Sequence, residues 1–165
     1  MTGGVAADGR PVEPVFRTLL RTCGLVGRIM QPFFARFGVS GSQWGILRTL
    51  YRAEQEGTEG LRLRDLGERL LIRPPSVTGV VGRLERQGLV VSDVSTKDLR
   101  AKQVRLTPDG RAVVRDVLKE HADQVGRMMG GLNEDEQREL QRLLVRLTEH
   151  LEGMVPEARH RRGLY

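Results

Sequence analysis

Apolar residues recur at three- and four-residue steps over most of the chain, and the points where that rhythm stops divide it into segments. Phe16, Leu19, Leu20, Cys23, Met30, Phe33, Phe34 and Phe37 mark a first helical run from Val15, within which Pro32 predicts a kink or a break between two helices. Gly38 ends the run. Ser40 to Gln43 then has the Ser-x-x-Gln spacing of a capping box and opens a helix carrying Trp44, Ile46, Leu47 and Leu50. After a polar loop, Leu61 to Leu63 reads as a short strand, and Leu66, Leu70 and Leu71 as the apolar side of a small helix.

The next helix starts at Pro74 or Pro75, where a missing N–H costs nothing. Val77, Val80, Val81 and Leu84 fall on one face and are expected to be buried. The opposite face presents Pro75, Gly79, Gly82 and Arg86, flanked by Ser76, Thr78 and Arg83, and Gly88 closes the helix. Leu89 to Asp93 and Ala101 to Leu106 are rich in β-branched residues and predict a hairpin whose tip carries Lys97, Arg100 and Lys102. Thr107-Pro108 pairs an N-cap with a first-position proline and opens a long helix with Val113, Val114, Val117, Leu118, Val125, Met128 and Met129. Gly130-Gly131 breaks it. Asn133 and Glu136 repeat the cap spacing, and Leu140, Leu143, Leu144, Leu147, Leu151 and Met154 form a stripe resembling a leucine zipper.

Charge sharpens this picture. The chain of 165 residues has a net charge of +6 and a pI near 10.4. Ten Arg and Lys against five Asp and Glu lie between Leu61 and Leu106, so that stretch holds nearly all of the excess and points to an anionic partner. A single cysteine excludes an internal disulfide and fits a reducing compartment. No apolar run has the length of a signal-peptide core or a membrane span, which predicts a cytoplasmic protein that does not enter a membrane.

A helix, a turn, a second helix with a small-residue outer face and a two-stranded hairpin make a winged helix-turn-helix. The expected fold is therefore mainly α with a small β wing, flanked by N- and C-terminal dimerisation helices. Residues 1–12 read as a loose arm and 13–153 as one domain, with 13–37 and 108–153 as dimerisation helices and 40–107 as the DNA-binding lobe. Residues 154–165 read as a basic tail.

The element order, the Leu66-Gly-Glu-Arg-Leu70 helix, the Pro74 to Val90 run, Asp98-Leu-Arg100 in the wing and the closing Val104-Arg-Leu-Thr-Pro-Asp-Gly110 together resemble the multiple-antibiotic-resistance regulator (MarR) family of bacterial transcription factors. The resemblance spans roughly Val15 to Met154. It implies a homodimer on double-stranded DNA, reading a pseudo-palindromic operator with recognition helices about one duplex turn (~34 Å) apart, and usually acting as a repressor. Ser76 and Thr78, at the start of the recognition helix, can bond base edges or phosphates; Arg73 and Arg83 flank them mainly as backbone contacts. Arg100 matches the wing arginine that the family places in the minor groove, and Asp98 is expected to hold the wing or orient Arg100. Gly79, Gly82 and Ser92 depart from residues common in the family, and the two glycines trade base readers for close approach.

The resemblance also implies a small-molecule effector, often a phenolic or aromatic anion, bound between the dimerisation helices and the winged lobe. Phe33, Phe34 and Trp44 could line that crevice with Arg28 or Arg48 near the anion, although the residues alone favour plain core for these aromatics. Cys23 lies in the first helix, where some members of the family carry a redox-sensing thiol; its apolar neighbours favour an inert buried thiol. His121, His150 and His160 are too widely spaced for a metal site, and no cofactor is expected. His121 reads as an interface or core histidine. No phosphate-binding loop, His-Glu-x-x-His pair or nucleophile elbow is present, which argues against an enzyme and leaves a winged-helix protein–protein adaptor as the other reading.

Overall fold

The computed structural model describes residues 12–71, 74–94 and 102–155. Along the chain these form α1 (Val12–Ala35), α2 (Gly41–Gln55), β1 (Leu61–Arg62), α3 (Leu63–Leu70), α4 (Pro74–Arg86), β2 (Val90–Val94), β3 (Lys102–Leu106), α5 (Pro108–Met129) and α6 (Glu134–Met154). The fold is mostly helical with one small antiparallel sheet. It divides into two compact units, Met1–His121 and Ala122–Tyr165.

In the first unit, α1 continues through Pro32 as one helix, so of the kink or break expected there the break does not occur. Proline removes the bond to the Arg28 carbonyl, and the helix ends soon after it, at Ala35. Only Met30, Phe33 and Phe34 of α1 are buried. The turn after it is closed by the Phe37 and Val39 N–H groups, which both donate to the Phe34 carbonyl. The expected capping box then starts α2: the Gln43 N–H donates to Ser40 Oγ at 3.3 Å, and the Ser40 N–H to Gln43 Oε1 at 2.8 Å.

The core forms where the apolar faces of these elements meet. Ile46, Leu47, Leu66, Val77, Leu84, Val104, Val114 and Val117 lose all their exposure, each contributing about 1.5–3 kcal/mol by removal from water. Arg111 clamps α5 to the far end of α2 with two bonds of 2.9 Å to the Glu54 carboxylate. β3 is the central strand, in the order β1-β3-β2, with Leu61 opposite Val104 and Val90 opposite Leu106. Arg105 pairs with Asp93 across β2 and β3.

α4, the hairpin and α5 converge on one junction. Gly88 ends α4 at a φ of +71°, where a side chain would be strained. The Thr107 N–H then donates to the Leu89 carbonyl, and the Thr107 hydroxyl to the Gly88 carbonyl at 2.7 Å. The same hydroxyl accepts from the Gly110 N–H at 3.0 Å, capping α5. A Cβ at Gly110 would collide with the Leu89 carbonyl, so only glycine lets α5 start this close to the hairpin.

The second unit holds the end of α5 and all of α6. Asn133 and Glu136 form the expected capping box, with bonds of 3.0 and 2.8 Å, and Glu134, Asp135 and Glu136 place negative charge against the positive end of the helix dipole. Gln137 Nε2 donates to the Leu132 carbonyl at 2.9 Å and ties α6 to the turn before it. None of the residues of α6 is buried.

Leu71, which caps α3, adopts left-handed backbone angles (φ +54°) while remaining 83% exposed. A side chain there costs about 1–2 kcal/mol and has little packing to compensate. Leu71→Gly is expected to stabilise the protein by about 0.5–1 kcal/mol in urea unfolding, after the added freedom of the unfolded chain is deducted. A loss of stability would show that Leu71 packs productively.

Candidate nucleic-acid interface

α4 is two-sided. Val77 and Leu84 are fully buried, and Val80 and Val81 nearly so, which fixes the rotation of the helix about its axis. The residues left outward are then Pro75, Ser76, Thr78, Gly79, Arg83 and Arg86, all exposed, with Gly82 intermediate. A Cβ at Gly79 would meet only Arg83 Nη1, at 3.9 Å, and one at Gly82 would meet nothing within 4 Å. The surface over both glycines is therefore open, with room for a flat or convex partner to approach the backbone.

Charge counting along the sequence overstates how much of the basic stretch is available. Arg64 is paired with Glu68 at 2.8 Å, Arg69 with Glu56 at 3.7 Å, and Arg105 with Asp93. Arg83 and Arg86, in contrast, form no ion pair among the described residues, and both stand on the outward face of α4. The Arg86 side chain reaches back to the Gly82 carbonyl at 3.3 Å. Arg73, Lys97, Asp98 and Arg100 lie outside the described residues, as does the side chain of Lys102, whose backbone belongs to β3.

The expected aromatic group assembles at the end of α1, and it is larger than the sequence indicated. Phe34 stacks on Trp44 with ring centres 5.6 Å apart, and Phe33 meets Phe34 and Phe37 edge-on at 5.3 and 5.4 Å. His121 of α5 joins them, 5.7 Å from Trp44 and 6.4 Å from Phe34. Arg36 lies over the Phe33 and Phe37 rings and reaches Glu120 at 2.6 Å. Phe33, Phe34 and Trp44 are buried, as favoured for core residues. Arg48 is close enough to act electrostatically on His121, whereas Arg28 is exposed on α1 and takes part in none of these ring contacts.

The histidine was legible as a core residue but not as a member of this group. Its signal was its position on the apolar face of α5, one turn beyond Val117. The pairing of two glutamines gave no signal: Gln43, legible only as part of the capping box, donates from Nε2 to Gln87 Oε1 at 2.6 Å, joining the start of α2 to the end of α4. Cys23 departs from the expectation of burial. Its thiol is exposed, because only the last part of α1 packs into the core of its unit. Among the described residues no three His, Cys, Asp or Glu side chains cluster to hold a metal, and no helix is long and apolar enough to cross a membrane.

Burial among the rings, and secondarily the positive charge of Arg48, holds the His121 pKa below its ordinary value. The unfolded chain therefore takes up this proton more readily. The stability contributed by the neutral ring is fully present above the ordinary histidine value of about 6.5 and is lost as pH falls through the depressed folded value. Urea midpoints measured at several pH values between neutral and mildly acidic should fall less steeply for His121→Phe than for wild type. Parallel profiles would mean that His121 contributes nothing to the pH dependence.

Known proteins share this architecture. The model of the MarR family matches residues 37–101, which take in α2, β1, the helix-turn-helix of α3 and α4, and β2. The uncharacterized HTH-type transcriptional regulator YkoM of Bacillus subtilis is 30% identical over 118 residues, 72% of this chain and 73% of its own. Among solved structures, AbsC, a MarR family transcriptional regulator from Streptomyces coelicolor, superposes with a TM-score of 0.77 at 24% identity, covering 92% of this chain and 99% of that one. BpsR of Bordetella bronchiseptica, whose DNA binding is regulated by 6-hydroxynicotinic acid, gives 0.71 at 26% identity, covering 82% and 99%. With its winged lobe, its outward helix face and these relatives, the chain belongs to the MarR family of DNA-binding transcriptional regulators.

Proposed function

We propose that the protein is a homodimeric repressor that reads a pseudo-palindromic operator with α4 of each subunit and is released from it by a small aromatic anion. The two-sidedness of α4 carries the reading. A helix whose inner face is locked by buried valines, and whose outer face offers hydroxyls, bare backbone and two arginines without an ion pair among the described residues, suits the major groove, which is about 12 Å wide. The positive N-terminal end of α4, with Ser76 and Thr78, favours phosphate or base edges; Arg83 and Arg86 supply further cationic contacts. Arg73, Lys97, Arg100 and Lys102 are assigned to DNA, and Asp98 to holding the wing, from the family resemblance.

Two unpartnered apolar faces support dimerisation. Val15, Phe16, Leu20, Leu25 and Ile29 of α1 are exposed, and so are Leu140, Leu143, Leu144, Leu147, Leu151 and Met154 of α6. A groove of about 490 Å³ between Met129 and α6, lined by Leu140, Leu144 and Val145, adds to the second face. A soluble monomer rarely leaves such apolar faces in water, and a second copy would cover each of them. Effector control draws on the Phe33, Phe34, Trp44 and His121 cluster with Arg48 beside it, and on the aromatic acid that regulates DNA binding by BpsR. Arg28 has no contact that brings it to this cluster, and Cys23 has nothing beyond its exposure to support redox sensing.

Three variants test the reading against a duplex selected by the wild-type protein from a random pool. Gly79→Ala should stabilise the fold by about 1 kcal/mol, since its Cβ enters open space, yet cost about 1–3 kcal/mol of binding if the groove packs against that backbone. Arg83→Ala should lower the slope of log affinity against log salt by about 2, roughly one for each subunit of the dimer. Leu144→Asp should give a monomer in sedimentation and abolish binding to the selected duplex. A dimeric Leu144→Asp, or affinity independent of salt, would refute the corresponding part of the proposal.

A further inference from the structure

Gln43 is the one buried polar residue among the described residues, and its surroundings leave it a single orientation. The Ser40 N–H in the capping box can only donate, so the Gln43 oxygen must face it, at 2.8 Å. Gln43 Nε2 is thereby turned toward Gln87 and donates to its Oε1 at 2.6 Å. Gln87 must then present its own Nε2 on the other side, where it donates to the Gly38 carbonyl at 3.3 Å. Each amide fixes the next. The relay spans 44 residues from α2 to the end of α4 and 49 from there back to the α1–α2 turn.

The two ends of this relay are different in kind. Gln87 directly follows α4, its N–H still bonded to the Arg83 carbonyl, so its side chain acts on the last turn of the helix that carries Arg83 and Arg86. Gly38 and Ser40 belong to the turn that leaves Phe34 and Phe37, and Gln43 is followed directly by Trp44, which stacks on Phe34. The valines of α4 fix its rotation but, being apolar and short, set no polar registry at its C-terminal end. The amide relay supplies one.

We propose that Gln87 is a positioning residue for DNA recognition: it holds the C-terminal end of α4 in register with the α1–α2 turn and connects that end to the aromatic cluster around Trp44. It touches no DNA in this role. Its effect falls on discrimination between duplexes, because nonspecific binding needs only charge near phosphate whereas base readout needs α4 at a fixed depth and tilt. Coupling of this kind is reciprocal, so DNA that orders α4 must also be felt at Trp44. The inference rests on the reading of α4 as the groove-reading helix, but not on the identity of any effector.

The test uses the full-length protein, the selected duplex and a random-sequence duplex of equal length, followed by anisotropy of labelled DNA and by emission from Trp44, the single tryptophan of the chain. Wild type should show an emission change with the selected duplex that the random one does not produce. Gln87→Met should lose about tenfold or more in affinity for the selected duplex, the loss of one or two hydrogen bonds' worth of positioning, with random-duplex affinity and salt slope unchanged and the emission change gone. Gln87→Glu keeps an acceptor for Gln43 but has no donor for the Gly38 carbonyl, and it should show the same loss of preference with the unfolding temperature of wild type. The pair Gln43→Met and Gln87→Met should be non-additive. Variants that keep both the preference and the emission change would overturn the proposal, as would an equal loss on both duplexes with a lowered unfolding temperature, which marks a merely structural role. A wild-type protein that prefers no duplex would instead defeat the groove-reading assignment, and this inference with it.

Discussion

The rotation of α4 about its own axis is the constraint on which the rest of the lobe depends. Val77 and Leu84 have no exposure, and they sit seven residues apart, two helical turns, on one line down the helix. A rotation large enough to bring either to the surface would forfeit the burial of all four apolar residues on that face. Everything presented outward follows: hydroxyls at the start, bare backbone in the middle, guanidinium groups at the end. Specificity in such a design begins as a packing problem, because the side chains that meet the ligand are selected by those that never see it.

Packing alone leaves the C-terminal end of α4 free to tilt, and polar devices hold it. At the C-terminal end the chain turns through Gly88 into β2, and Thr107 returns from β3 to bond the same turn, so the hairpin and the beginning of α5 are fastened to one point. The absence of a side chain at Gly110 makes that convergence possible. Arg111, one residue later, grips Glu54 and passes the constraint to α2. The lobe is thus braced through backbone carbonyls and a half-buried ion pair, while the solvent-facing arginines of α4 form no ion pair among the described residues.

Most of the fold was legible in the sequence because its signals are local. Both capping boxes, the proline start of α4, its valine face, the Gly88 stop and the Thr107-Pro108 helix start are each written in a handful of neighbouring residues, and each appears where expected. Pro32 allowed either a kink or a break, and the helix is not broken there. Long-range partnerships were the part that could not be read. Nothing near Gln43 announces Gln87, His121 gives no hint of Trp44, and the arginines of the basic stretch do not reveal which carboxylates neutralise them. Those facts depend on how elements distant in sequence come to face one another. On the outward surface of α4, residue types and a face were legible; the pairing of Arg64, Arg69 and Arg105 is what separates committed charge from available charge.

α6 is a helix of 21 residues without one buried side chain. Helices in proteins owe most of their stability to packing of an apolar face, and α6 buries none of its leucine stripe within its own unit. In the proposed dimer the surface that covers the stripe belongs to another copy of the chain, whereas the winged lobe contains its own core. The two parts of the protein then respond differently to dilution: the lobe stays folded while the spacing between two lobes is lost. The number of copies in the cell becomes an input in its own right, with operator occupancy rising more steeply than protein level because two chains must meet before either can measure the distance along the duplex.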